Sequence, residues 1–430
     1  MFRKIVYKII LKRIRPFLRA VLFRKSRINE EVADKYWYPL ATATYGESEI
    51  MEALDSMASF KTSMHEKTKT FEKEFSSFQS CSESIMVNSG SSADLLLSFL
   101  LTNPIDPILK KGDEVLVASV TWPTHIWSIM MAGLSPKFVD IDPNTLNIDL
   151  DDLKEKISEN TKAIFLVHLL GNPCNMDAII NLAKERDLII LEDCAEALGA
   201  EWDGKKVGNF GIGSTFSFFF SHHMTTMEGG MICVNSKKYA DHIRVMRSHG
   251  WLRNIKSDLF IKDSEDISDD RYEFHNWGFN LRPTEIQAAF GIKQLEKLED
   301  FNRKREELSS DIFSFLKSYS FLQPISVHAK AKPSWLGIPI ILDEKAPFDM
   351  KELIGYLEDS GIETRPILTG NILRQPVSKK LFPGLNKEDF PGAEIIHKRG
   401  IYIGLSPMTN ELSHKKLKLT LQNFFNRFQS

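Results

Sequence analysis

From Tyr38 onward, short apolar runs rich in β-branched residues alternate with longer segments whose apolar positions recur at helical spacing. Ser84 to Asn88 reads as a strand that runs through Ser89-Gly90-Ser91-Ser92 into an apolar helix, Ala93 to Leu101. The turn Gly112-Asp113-Glu114 precedes a strand from Val115 to Ser119, and Lys137 to Asp140 reads as another. Ala163 to His168 and Leu188 to Glu192 are continuous apolar runs, as suits parallel strands covered on both faces. A helix over Met176 to Arg186 separates them. Strands follow at Gly213 to Phe220 and Gly230 to Val234, then a helix from Lys238 to His249. Leu252 to Asn276 is polar and acid-rich and reads as an exposed excursion. A long helix begins near Pro283 and runs toward Arg305, and Leu322 to Pro333 reads as a connection. Trp335 to Leu342, Lys351 to Ser360 and a final helix, Leu412 to Phe425, make a smaller α/β region. The alternation predicts an α/β fold with a central, mostly parallel sheet and right-handed crossovers. It divides the chain into an N-terminal extension (1–35), a large domain (36–290) and a small C-terminal domain (291–430).

The extension breaks the pattern. Met1 to Arg27 holds ten lysines or arginines and no acid, interleaved with Ile5, Ile9, Ile10, Ile14, Leu18 and Leu22. No apolar run there is long enough to span a bilayer, and a secretory cleavage signal is missing. One reading is a basic amphipathic helix in peripheral contact with an anionic membrane; the other is a surface arm or assembly helix, kinked at Pro16. The remaining composition is that of an ordinary globular protein, 43% hydrophobic and 26% charged. A net charge of −2 gives no electrostatic case for nucleic acid. Four scattered cysteines, Cys81, Cys174, Cys194 and Cys233, predict reduced thiols in a cytoplasmic protein and no metal centre.

Several residues can carry chemistry. In Ser89-Gly90-Ser91-Ser92, a Gly–Ser turn between strand and helix offers backbone N–H groups and hydroxyls to a phosphate, although ordinary helix caps look the same. Asp193 follows an apolar strand, where α/β folds bind ligands and where a carboxylate can pair with a pyridine nitrogen; a helix-capping Asp is the plainer reading. Trp122 ends another strand and could stack on a ring or sit in the core. Ser217 is a hydroxyl within an aromatic strand, and Ser221-His222-His223 lies just beyond it.

Together these elements resemble the DegT/DnrJ/StrS family of pyridoxal-phosphate sugar aminotransferases, of the aspartate aminotransferase fold type I. The similarity runs from about Tyr38 to the C-terminus through NSGSSADLLL, GDEVLVASVTWP, FVDIDPNTLNID, HLLGNPCNMD, IILEDCAEALGA, GSTFSFFFSHHMTTMEGGMI, SHGWLRN and GFNLRPTEIQAAFG. The resemblance implies that Gly90, Ser91 and Ser217 bind the cofactor phosphate and that Asn280 reaches it from a partner subunit, which makes the protein a homodimer with shared active sites. Trp122 would cover the pyridine ring, Asp193 would pair with its nitrogen, and Glu196 would stand near the phenolic oxygen, where ordinary members carry Gln. Ser221, His223, His249 and Arg253 are candidates for the substrate side; each is equally compatible with ordinary loop structure.

His222 is the departure. Ordinary members have lysine there, and its amine links covalently to the cofactor. An imidazole makes no such stable link, so pyridoxal or pyridoxamine phosphate would be held noncovalently, beside a base that titrates near neutrality. Two groups of sugar 3-dehydratases in the family make the same swap. One acts on GDP-4-keto-6-deoxymannose. The other acts on CDP-4-keto-6-deoxyglucose and carries an iron–sulfur cluster bound by a cysteine-rich insert. Leu252 to Asn276 contains no cysteine, so no cluster is expected. Thr364 to Asn371 favours the GDP-sugar group, while Arg374-Gln375-Pro376 is nearer the CDP group. The resemblance thus implies removal of the C3 hydroxyl of a nucleotide-linked 4-keto-6-deoxyhexose, with His222 moving the proton, ammonia released and glutamate as amino donor, for 3,6-dideoxysugars of O-antigen lipopolysaccharide. The alternatives are a CDP-sugar dehydrase and a noncatalytic binder that has lost its lysine.

Overall fold

A computed structural model describes residues 35–252, 255, 257, 259–260 and 272–428. The N-terminal basic stretch and Arg253 lie outside the described residues.

The strands in chain order are β1 (Glu83–Val87), β2 (Glu114–Ala118), β3 (Ser135–Val139), β4 (Thr161–Val167), β5 (Ile189–Asp193), the short pair β6 (Glu201–Trp202) and β7 (Lys205–Lys206), β8 (Gly213–Ser217) and β9 (Gly230–Val234). Seven of them form one sheet in the order β1-β9-β8-β5-β4-β2-β3. β3, β2, β4, β5 and β8 pair in parallel, and β9 runs antiparallel between β8 and β1. Parallel strands are covered on both faces, which is why Ile164, Phe165, Leu166 and Leu191 sit in unbroken apolar runs and are fully buried. The helix Gly90–Leu101 packs on this sheet and is buried on nearly every side, so its sequence is apolar all round.

After β9 come β10 (Leu322–Gln323), β11 (Ala331–Lys332), β12 (Gly337–Leu342), β13 (Thr364–Pro366) and β14 (Gly400–Gly404). Four of them make an antiparallel sheet ordered β10-β12-β14-β13. The segment after Lys35 lies against it: the Tyr38 N–H donates to the Gly361 carbonyl, and the Glu363 N–H returns the bond to Tyr38. One apolar core runs from Val115, Val117 and Phe165 to Ile338, Ile401 and Phe424, joining the two sheets.

Three expectations differ from the fold. The helix expected from Pro283 toward Arg305 is two helices, Glu285–Leu295 and Leu298–Leu316. The break at Glu296-Lys297 has neither Gly nor Pro; Gln294 and Lys297 both turn to the buried Glu49 carboxylate. The stretch Leu322 to Pro333 contains β10 and β11, the latter paired with β6. Within the expected exposed excursion, Leu252 and Phe260 are buried against Val245. No helix among the described residues is long and apolar enough to cross a membrane.

Candidate active site

The carboxyl ends of β5 and β8 and the N-terminus of the helix Gly90–Leu101 open into a cavity of about 730 Å³, closed on the other side by residues around β13 and by Tyr402 of β14. Gly90, Ser91, Trp122, Asp193, Glu196, Ser217, Ser221 and His222 all line it. These residues span positions 90 to 222, and Asp193 and Glu196 meet Ser217, Ser221 and His222 because β8 is the sheet neighbour of β5.

At the helix N-terminus, Ser89 Oγ accepts the Ser92 N–H at 3.1 Å. The N–H groups of Gly90 and Ser91 make no bond within the described residues, so the positive end of the helix faces the cavity with donors open. A Cβ on Gly90 would fall 2.6 Å from Ser217 Cβ and 2.8 Å from its hydroxyl. Only glycine lets the helix end and the Ser217 hydroxyl converge, and the donors gathered there suit an anion.

Asp193 ends β5. Its Oδ1 accepts the Ala195 N–H at 2.6 Å, and its Oδ2 makes an ion pair with Nε2 of His125. The His125 ring is fully buried, touches Thr121 Oγ1 through Nδ1, and lies 3.9 Å from a second buried carboxylate, Asp94. Asp94 accepts hydroxyl bonds from Thr215 at 2.7 Å and Thr124 at 3.0 Å. Burial opposes charge on all three groups. Against it, His125 holds Asp193 below the usual carboxylate range, and the two carboxylates hold His125 above the ordinary imidazole value. Asp94 is pushed up by burial and by the Asp193 charge. Sequence reasoning missed His125 and Asp94. The available signals were His125 three residues after Trp122 at a strand end, and Asp94 one helical turn beyond Gly90.

His222 stands on the loop after β8, its N–H bonded to the Phe219 carbonyl and its ring edge-on to Phe219. Its Nδ1 has no hydrogen-bond partner. Burial pushes the imidazole down to about 4, against the pull of Asp193, so it is neutral at pH 7. Glu196 accepts the Leu170 N–H at 2.8 Å through Oε2, and burial raises it to about 7. The Trp122 ring is 53% exposed and borders the cavity.

Other expected residues lie elsewhere. His223 is buried, with Nε2 2.9 Å from the Ser334 carbonyl, and does not line the cavity. His249, at φ +64°, bonds through its N–H to Phe279. Asn280 bridges to Ser248 and accepts from Arg282 Nε at 2.9 Å; neither His249 nor Asn280 lines the cavity of its own chain. Conversely, Glu228, Glu363, Arg365 and Tyr402 line it without having been expected there.

A second buried cluster, His168, Glu192 and Cys194, lies beside the cavity floor. Glu192 accepts the N–H groups of Gly208, Phe210 and Gly211 at 2.7, 2.6 and 2.8 Å, with His168 Nε2 at 3.2 Å. Its acceptor capacity is spent on tying the turn before β8 to β5, which is a structural task.

Comparison with known proteins gives the family and the fold. Residues 44–419 match the DegT/DnrJ/EryC1/StrS aminotransferase family. The chain is 38% identical over 369 residues to a GDP-4-keto-6-deoxy-D-mannose 3-dehydratase from Yersinia pseudotuberculosis, covering 85% of this chain and 93% of the relative. Among solved structures, a GDP-4-keto-6-deoxymannose-3-dehydratase variant with bound GDP-perosamine superposes with a TM-score of 0.84 at 36% identity, covering 89% of this chain and all of that one. The same enzyme with a trapped PLP–glutamate geminal diamine gives the same TM-score, identity and coverage.

Proposed function

Since the chain belongs to the DegT/DnrJ/EryC1/StrS aminotransferase family, we propose that it is a pyridoxal-phosphate-dependent sugar dehydratase of the aminotransferase fold, which removes the C3 hydroxyl of GDP-4-keto-6-deoxymannose with glutamate as amino donor. Its place is in deoxysugar biosynthesis for lipopolysaccharide. The observation that carries the reading is His222: a neutral imidazole in the cavity, where the family's aminotransferases have a lysine.

The site fits the cofactor. The open cradle of Gly90, Ser91 and Ser217 suits its phosphate, Trp122 suits one face of its ring, and Asp193, kept ionised by His125, suits its protonated ring nitrogen. Glu196, fixed by the Leu170 N–H and lining the same cavity, would suit its phenolic oxygen. Bound there, the cofactor supplies an electron sink for the sugar carbon skeleton.

The protein's own groups do the rest. His222 has no amine and makes no covalent link, so the amino group is not recaptured by the chain. Lining the cavity as a neutral base, it takes a proton from the reacting carbon and can return one to the departing C3 hydroxyl. Asp193 holds its charge next to the cavity without solvent screening, and this keeps a proton on the group it faces.

The assembly is a homodimer with shared active sites, in which Asn280 of one chain serves the cradle of the other. Phe219, Phe220 and Met227, exposed beside the cavity, support burial by a second copy. The chain works in the cytoplasm, with residues 1–27 touching the inner membrane face; their ten cations and lack of acids support this. We retain the division into 1–35, 36–290 and 291–430, and Arg253 as a substrate-side residue.

The test is ammonia release from purified protein given pyridoxal phosphate, glutamate and either GDP-4-keto-6-deoxymannose or CDP-4-keto-6-deoxyglucose. Release that depends on glutamate and on the GDP sugar is expected. Release with the CDP sugar alone would overturn the substrate assignment, and none with either sugar would overturn the dehydratase.

A further inference from the structure

The cavity is rich in carboxylates and poor in cations. Asp94, Asp193, Glu196, Glu228 and Glu363 line it, and Arg365 is the one lysine or arginine among its described lining residues. Arg365 sits on β13, the edge strand of the second sheet, and so comes from the wall across from the phosphate cradle.

Its guanidinium is anchored from its own strand. One terminal nitrogen lies 2.7 Å from Glu363 Oε1, and the other donates to the Thr364 carbonyl at 3.0 Å. Glu363 is fixed in turn, its Oε2 accepting the Leu40 N–H at 2.9 Å. The remaining donors of Arg365 have no protein partner among the described residues, and the side chain is 53% exposed. A planar fork held on one side and open on the other is a receptor for a carboxylate or a phosphate.

The proposed reaction brings two anionic substrates to one base. Glutamate carries carboxylates and the sugar nucleotide carries a diphosphate, and each must present its reacting carbon to His222. They therefore occupy the cavity in turn, and Arg365 is the one lysine or arginine that its described lining residues offer to both. We propose that Arg365 is a shared anion dock, taking a carboxylate of glutamate in one half-reaction and a phosphate of the sugar nucleotide in the other. The proposal rests on the dehydratase reading and adds to it a reason for the two substrates to exclude each other.

The test compares holoenzyme loaded with pyridoxal phosphate with Arg365→Gln and Arg365→Lys. Glutamate is titrated against the change in cofactor absorbance. GDP is titrated by isothermal calorimetry, which requires no turnover. Arg365→Gln should weaken both ligands at least tenfold while cofactor content and unfolding midpoint stay at wild-type values. Arg365→Lys, a point charge without the fork, should recover GDP more fully than glutamate. In the wild type, GDP should raise the glutamate midpoint competitively. If Arg365→Gln weakens only one ligand, or neither, the shared dock is wrong. If that variant fails to hold the cofactor, Arg365→Lys decides: weakened glutamate supports the dock, and wild-type affinity for glutamate overturns it. A wild type that neither responds to glutamate nor binds GDP overturns the dehydratase reading itself, and the dock with it.

Discussion

Nε2 of His125 meets Oδ2 of Asp193 in a fully buried ion pair at the floor of the cavity, and nothing else in contact with Asp193 carries a positive charge among the described residues. With Asp94 only 3.9 Å from the same imidazole, His125 is the one cation between two buried carboxylates. Replacing it by Gln removes the positive charge beside both and leaves them only their neutral hydrogen bonds. Removing one partner of a buried pair costs about 3–5 kcal/mol. His125→Gln should lose about that much stability at pH 7, read from the urea midpoint, and should hold pyridoxal phosphate at least tenfold more weakly. A loss under about 1 kcal/mol would mean that Asp193 does not depend on His125.

The cradle gives a second expectation. A methyl group on Gly90 would stand 2.6 Å from Ser217 Cβ, an atom anchored directly to the backbone of β8. Gly90→Ala should therefore spread the helix end from the strand and weaken cofactor binding more than tenfold. Ser217→Ala removes one hydroxyl and should cost about 1 kcal/mol, several-fold in affinity. Fluorescence titration of the apoprotein with pyridoxal phosphate separates the two. Equal effects would contradict the convergence of Gly90 and Ser217.

His222 and Glu196 shift in opposite senses, and so do their effects on stability. His222 falls from 6.5 to about 4 on folding, so between those values the unfolded chain binds the extra proton and stability drops as pH falls. Glu196 rises from 4.5 to about 7, so the folded chain holds the proton and stability drops as pH rises through that window. In the apoprotein, His222→Asn should gain on the wild type near pH 4 and Glu196→Gln should gain near pH 8, each by at most about 3 kcal/mol. Denaturant midpoints across pH 4 to 8 check both slopes. A gain in the reverse direction for either variant would show that its group is not shifted as described.

Much of this was legible in the sequence, because motifs at strand ends report position. The Ser89–Ser92 turn, Asp193 and Ser221-His222-His223 each follow an apolar run, and strand ends are where an α/β sheet gathers its ligands. The missed residues depend on strand order. His125, after β2, can reach Asp193, at the end of β5, only because β4 alone separates the two strands. Arg365 belongs to the other sheet, and its string had marked only the kind of nucleotide sugar. His223 read as a substrate-side candidate next to His222, yet it does not line the cavity, and the Ser334 carbonyl claims it. The break at Glu296-Lys297 carried no local signal, and the residues beside it are held by Glu49, far away in sequence.

The central claim is that an imidazole at position 222 turns an aminotransferase site toward elimination. The most direct measurement is the mass of the sugar nucleotide after wild-type protein, pyridoxal phosphate, glutamate and GDP-4-keto-6-deoxymannose are incubated together. A keto sugar lighter by one oxygen is expected, formed by wild type and lost in His222→Asn. A stable 4-amino sugar with its C3 hydroxyl intact would contradict it and restore an aminotransferase.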